Sequence, residues 1–224
     1  MTGAAGPAAP AVLDHLVYAT PDLDRTVAEV AALTGLRPVP GGSHPGRGTR
    51  NHLLGLGAGA YVEIIGPDPE QPAPEGPRWF GIDALAGPRL VTWAVRVTGI
   101  DGHVARARAL GHDPGDPVAM SRRAPDGGRI GWRLTPPASG ADGVLPFLLD
   151  WGDTPHPTAA DGLPVLPLVS FTATHPEPGA VQAGLAALGV HLPGGPVTAG
   201  PAALRAVLAG PHGPVAFGRG AVGV

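Results

Sequence analysis

Short apolar runs alternate with turn residues along this chain. The spacing of the apolar positions switches from two to about 3.6 and back three times. Val12 to Ala19 alternates as a strand, with Leu13, His15 and Val17 predicted on one face and Asp14, Leu16 and Tyr18 on the other. Thr20-Pro21-Asp22 then reads as a helix start. Thr20 takes the cap, Pro21 the first helical position, and Asp22 and Asp24 the positive end of the helix dipole. Leu23, Val27, Val30, Ala31 and Leu33 form the apolar stripe, and Gly35 stops the helix. Strands predicted around 37–40, 51–56 and 60–65 complete a β-α-β-β-β unit.

The pattern returns near Leu90. A strand over 90–97 leads into Thr98-Gly99-Ile100-Asp101, which reads as a capping box, and a helix that ends at Gly111. Strands come next near 117–122, 129–135 and 145–151, with Pro125-Asp126-Gly127-Gly128 as a hairpin turn. A third pass has a strand over 168–174, a helix over 176–188 ending at Gly189, and strands near 196–199, 204–209 and 215–217. Its last strands are poor in polar side chains, so it is read as covering or extending the sheet without chemistry of its own.

These passes divide the chain into a disordered leader over 1–11, a first βαβββ module over 12–66, a Pro-rich linker over 67–88, a second module over 89–152, a linker over 153–167 and a third βαβββ-like unit over 168–218. The expected fold class is α+β, with paired βαβββ modules forming a curved mixed sheet around a cleft.

Composition narrows the chemistry. The net charge is -3 without a basic cluster, so a nucleic-acid partner is not expected. No window holds eighteen uninterrupted apolar residues, so no membrane partner is expected either, and the chain reads as cytoplasmic. There is no cysteine, which removes thiolate chemistry, and all 15 basic residues are arginine, which removes a lysine Schiff base.

Alternation predicts what enters the cleft. His15 lies on the first strand, and Tyr61, Glu63 and Ile65 share a face of the last strand of the first module. A carboxylate buried among Val62, Ile64 and Ile65 needs a partner. Imidazole and carboxylate together make half of a nitrogen/oxygen site suited to Zn, Fe, Ni, Mn or Mg, so a divalent metal is the candidate cofactor. Aligning the two modules sets Thr92 against His15 and Asp150 against Glu63. The candidate metal ligands are therefore His15, Glu63 and Asp150, with threonine a poor fourth. His44, Arg47, Arg50 and Asn51 on the polar loop, Trp93, Trp132 and Trp151 on second-module strands, and His156 in the turn beyond are the candidate substrate-binding residues.

Leu13-Asp14-His15-Leu16-Val17-Tyr18-Ala19-Thr20-Pro21-Asp22-Leu23-Asp24 resembles the opening of vicinal-oxygen-chelate proteins, the glyoxalase/bleomycin-resistance/dioxygenase superfamily. Gly41 to Gly46, Asn51 and Tyr61-Val62-Glu63-Ile64-Ile65-Gly66-Pro67-Asp68-Pro69 resemble its glyoxalase-like domain family in particular, and 146–157 is similar to that family's second half. The resemblance implies a divalent metal held by first and last strands of two modules. His15 and Glu63 match that pattern, Asp150 matches approximately and Thr92 departs from it. The expected function is metal-assisted lyase or isomerase chemistry on a small oxygenated metabolite, with Glu63 and His15 as the catalytic pair. The alternative is a metal-free binding or sequestering protein of the resistance type. Either way the partner is a small molecule, and the chain is expected as monomer or homodimer.

Overall fold

The computed structural model describes residues 11–137, 143–220 and 222–223. The leader predicted over 1–11 therefore lies, except for Ala11, outside the described residues. The first unit runs β1 (Val12–Ala19), α1 (Leu23–Thr34), β2 (Val39–His44), β3 (Thr49–Gly57) and β4 (Ala60–Pro67). The second runs β5 (Arg89–Arg96), α2 (Ile100–Ala109), β6 (Val118–Arg123), β7 (Arg129–Leu134) and β8 (Phe147–Asp150). The third has β9 (Leu168–His175), α3 (Pro178–Leu188), β10 (Thr198–Ala199), β11 (Ala203–Gly210) and β12 (Gly213–Phe217). Among the described residues, no helix is long and apolar enough to cross a membrane.

The fold is α+β. Its first eight strands close on themselves in the order β1-β4-β3-β2-β6-β7-β8-β5, so the expected curved sheet closes into a barrel. β1 and β5 join the two units as antiparallel neighbours, and β2 meets β6 at Ser43 and Arg123. The other four strands form a separate sheet, β10-β9-β11-β12.

The helix ends differ in detail from expectation. Asp22 is the N-cap of α1, accepting from the Arg25 amide at 3.1 Å, while Thr20 bonds Thr26 at 2.7 Å. At the other end Gly35 takes the left-handed conformation that lets its amide reach Ala31 O. Gly99 caps α2 without a side-chain bond, and the distant Asp150 supplies the missing acceptor.

Period-2 alternation sorts β4 cleanly. Val62 and Ile64 face an outer core beneath the helices, while Ile65 faces an inner cluster with Phe147 and Trp151. The outer core is continuous with the third unit. Trp93 lies edge-on to Phe171 at 5.1 Å, and Tyr18 donates its hydroxyl to Gly220 O at 2.6 Å. Leu90 N bonds Gly218 O at 2.7 Å, so the C-terminal unit lies against the β1–β5 seam.

One irregularity positions the site. Leu13 pairs with Val95 but His15 pairs with Ala94, which leaves Asp14 as the extra residue of a β-bulge. Leu13 therefore packs with Leu16 and Tyr18 on the outer core, not beside His15 as simple alternation predicts. Asp14 and His15, consecutive in sequence, are both buried and hydrogen-bonded to each other.

Candidate functional site

The barrel encloses a narrow cavity with room for the centres of water-sized molecules of about 50 Å³. On that measure one water needs about 10–15 Å³, so the closed part suits a ligand head of a few heavy atoms. β1, β3 and β4 deliver His15, Asn51, Tyr61 and Glu63, and β2 ends with His44. β6, β7 and β8 deliver Arg122, Trp132, Phe147 and Leu149, and Trp151 comes directly after. Arg47 sits at the β2–β3 turn. A short 3-10 segment, Trp79–Ala84, brings Trp79 and Phe80 to the same cavity from the Pro-rich connection.

Glu63 is its acidic centre. Asn51 Nδ2 donates to Glu63 Oε1 at 2.6 Å. His15 Nε2 stands 3.7 Å from Oε2, and His44 Nε2 stands 3.8 Å from Oε1. Each imidazole thus addresses a different oxygen of one carboxylate. Burial lowers the pKa of His44; Glu63 opposes the shift and the Arg122 charge adds to it, so His44 favours its neutral form. Its Nδ1 is tied to Thr49 Oγ1 at 3.1 Å.

Asp14 organises the floor. Its Oδ1 lies 2.7 Å from His15 Nδ1, and its Oδ2 accepts from Trp151 Nε1 at 3.0 Å and lies 3.0 Å from His156 Nε2. Arg96 adds a cation at 3.8 Å. Burial alone raises the Asp14 pKa, but bonds from His15 and His156, with their charge interactions, outweigh it. The carboxyl is held well below the usual range. An ionised carboxylate only accepts, so His15 carries its proton on Nδ1 and His156 on Nε2. His15 then turns Nε2 toward the cleft. His156 accepts from the Thr158 amide at 3.2 Å and fixes its own loop. Burial, with the charges of Asp14 and Glu63, pushes the Tyr61 hydroxyl well above its ordinary pKa; its ring stacks on His15 at 4.8 Å.

Of the residues expected from sequence, His15, His44, Arg47, Asn51, Glu63, Trp132 and Trp151 line the cavity. Four do not. Arg50 points outward between inward Thr49 and Asn51 and pairs with Asp24 at 2.9 Å. Trp93 lies in the outer core and donates to Val144 O at 2.7 Å, because the alternation of β5 turns Ala94 inward instead. His156 lies behind Tyr61 and Trp151, bonded to Asp14. Asp150 accepts from the amides of Gly99 and Ile100 at 2.9 and 3.1 Å, capping α2 outside the cleft.

Sequence reasoning misses Asp14, Arg122, Trp79, Phe80 and Phe147. The bulge conceals Asp14, and nothing local announces that the linker returns to the cavity. Arg122 is readable only as the last residue of an expected strand.

A profile of the glyoxalase-like domain family matches residues 13–189. The chain belongs to the glyoxalase-like domain family. Among solved structures, a hypothetical protein from Staphylococcus aureus is similar at 14% identity and TM-score 0.53, over 79% of this chain and 74% of that one. Methylmalonyl-CoA epimerase from Mycobacterium tuberculosis is 23% identical over 70% of this chain and 98% of its own, TM-score 0.43. A Streptomyces coelicolor methylmalonyl-CoA epimerase in complex with 2-nitronate-propionyl-CoA is 21% identical over 63% and 98%, TM-score 0.42. A search of curated proteins finds no match.

The register explains how this glyoxalase-like chain departs from a ligand set built by both halves. In the first unit β1 and β4 run parallel with His15 opposite Tyr61. In the second, β5 and β8 run parallel with Ala94 opposite Phe147. Ala94 and Leu149 therefore stand where the first unit has His15 and Glu63, in place of the expected Thr92 and Asp150. Thr92 pairs with Val17 and does not line the cavity. His15, His44 and Glu63 remain as donors, but the two imidazoles address different carboxylate oxygens. Among the described residues no group of three or more His, Asp or Glu side chains is placed to hold a metal ion. The donor set as arranged does not fit the expected divalent metal.

Proposed function

We propose that this glyoxalase-like chain moves a proton on a small oxygenated molecule, in isomerase- or lyase-type chemistry, with Glu63 and His15 as the acid–base pair. One observation carries the reading: a buried carboxylate stands between two imidazoles in a cavity walled mainly by aromatic and aliphatic side chains. His15 Nδ1 is bonded to Asp14, so Nε2 is the nitrogen that faces Glu63 Oε2, across 3.7 Å. A proton or a ligand O–H can be shared between these two atoms. Glu63 takes a proton from a carbon beside a carbonyl, and the C–H electron pair moves onto the carbonyl oxygen as an enolate. The Glu63 acid, its proton exchangeable with solvent and shared with the neighbouring His15 Nε2, then reprotonates carbon and returns to a carboxylate. The burial of Glu63, His15 and His44 strengthens each interaction.

The test is proton washout in D2O, monitored by NMR, with pyruvate, hydroxyacetone and acetone as probes. Wild-type protein is expected to accelerate exchange over buffer, and Glu63→Gln to lose about 100-fold or more of that acceleration. Equal rates in wild type and Glu63→Gln overturn the reading. The alternative, a binding or sequestering protein, is supported by the aromatic walls, Trp132 and Trp151 at 5.3 Å among them. Its signature is ligand binding without exchange.

A further inference from the structure

Arg122 does not take part in that proton chemistry, yet it lines the same cavity on β6. It is 5% exposed. Among the described residues it has no carboxylate within ion-pair distance, and its Nε is buried without a hydrogen-bond partner. Its charge acts on His44 and, against the raising effect of burial, on Tyr61, and both of these side chains line the same cavity. A buried unpaired cation is costly to a fold, and such groups persist where a ligand pairs them. Trp132, across the β6–β7 ladder, is a second case: the residue lines the cavity, and its indole Nε1 is buried and has no acceptor. Both of these groups are donors, and one is permanently charged; Asn51 Oδ1, on the same wall, is a buried acceptor without a partner.

The backbone is shaped to admit Arg122. A Cβ on Gly41 would overlap Asn51 Oδ1 and stand 2.8 Å from Arg122 Nη1. A glycine at this position lets the guanidinium lie beside the Asn51 that holds Glu63.

Two orphan donors, a guanidinium and an indole, call for an anionic oxygen acceptor. Glu63 already places a carboxylate in the cavity, which disfavours a dianion beside it. The narrow cavity, about 50 Å³, suits a planar head of few atoms. We propose that the cleft recognises a small monocarboxylate, held by Arg122 with Trp132 as second donor. This names the substrate class for the proton-transfer site proposed above and rests on that reading only for the chemical step, not for binding.

The experiment measures thermal shift and tryptophan fluorescence of the full chain with acetate, propanoate and pyruvate, against acetamide and inorganic phosphate at matched ionic strength. The carboxylates are expected to raise Tm and change the fluorescence, and the amide is not. Arg122→Met is expected to keep or raise the ligand-free Tm, because it removes an unpaired buried charge, and to weaken carboxylate binding about 10- to 100-fold. Arg122→Lys, which keeps the charge, and Trp132→Phe, which keeps an aromatic ring but removes the indole N–H, weaken binding with little change in ligand-free Tm and serve if the methionine variant fails to fold. The proposal is overturned if Arg122→Met and Arg122→Lys bind carboxylates as wild type does, if acetamide binds equally well, or if phosphate binds more tightly. Carboxylate binding that depends on Arg122, without washout by Glu63, sinks the proton-transfer reading and leaves this one standing.

Discussion

Asp14 Oδ1 lies 2.7 Å from Nδ1 of His15, its own neighbour in sequence, and the same carboxylate receives Trp151 at 3.0 Å. A β-bulge makes this pairing of adjacent residues available. Asp14→Asn replaces one acceptor oxygen by an NH2 group facing donors. Leaving buried donors unmatched is expected to cost about 2 kcal/mol in urea unfolding. In the proposed proton transfer Asp14 acts through His15. Its loss is therefore expected to lower kcat for proton exchange far more than it changes KM, which kinetics on the exchanging probe would reveal. A stability loss with unchanged kcat would make Asp14 purely structural.

Asp150 and Arg50 give the contrasting expectation. Asp150→Ala removes the acceptor for two amides at the start of α2 and is expected to cost about 1 kcal/mol, as a lost helix cap does. Arg50→Ala removes an exposed pair with Asp24 and is expected to cost under about 1 kcal/mol. Neither change is expected to alter ligand binding, and fluorescence titration of both variants checks this.

The pH dependence of stability has two windows. The folded-state pKa of His44 is lowered, by burial first, from an ordinary 6.5, so below that pH the unfolded chain takes up a proton that the folded chain resists. More protons on the unfolded state mean that stability falls as pH drops below about 6.5. Burial-dominated shifts at His52, His103 and His112 act in the same direction, so the His44 share is read by difference from His44→Gln. The variant is expected to show a shallower loss in urea melts between about pH 6.5 and 4.5. Asp14 is depressed from 3.8, so its contribution is complete above 3.8 and lost only as pH falls further.

Gly41→Ala is a steric test of the inner wall. The added methyl group meets Asn51 Oδ1 and Arg122 Nη1 together. The substitution is expected to cost about 1–3 kcal/mol as overpacking and to weaken carboxylate binding more than Asp150→Ala does. Calorimetric titration with pyruvate would decide it.

Most strands and helices of the three units are legible because their apolar runs hold one period between turn residues. β2, expected over 37–40, instead runs from Val39 to His44, and β3 starts at Thr49, so His44, Arg50 and Asn51 lie on strands and not on the expected polar loop. Glu63 facing inward on β4 is legible because a charged residue marks the face that alternation assigns. Two features escape that logic. An extra residue in β1 resets its faces after Leu13, and residues 147–149 of β8 are apolar on both sides, so no polar residue reveals which face is inward. Aligning the modules by their polar residues therefore sets Asp150 against Glu63, when Leu149 holds that register. The arrival of Trp79 from the Pro-rich connection, with Arg47 stacked over its ring at 4.3 Å, depends on long-range packing that no local period encodes.

The repeat visible in the chain is not a repeat in its energetics. Leu16 of the first unit, Trp93 of the second and Phe171 of the third belong to one continuous core. Opening any unit would strip apolar surface from the other two. The three units are therefore expected to melt as a single cooperative species, with calorimetric and van't Hoff enthalpies in agreement, and none is a detachable part.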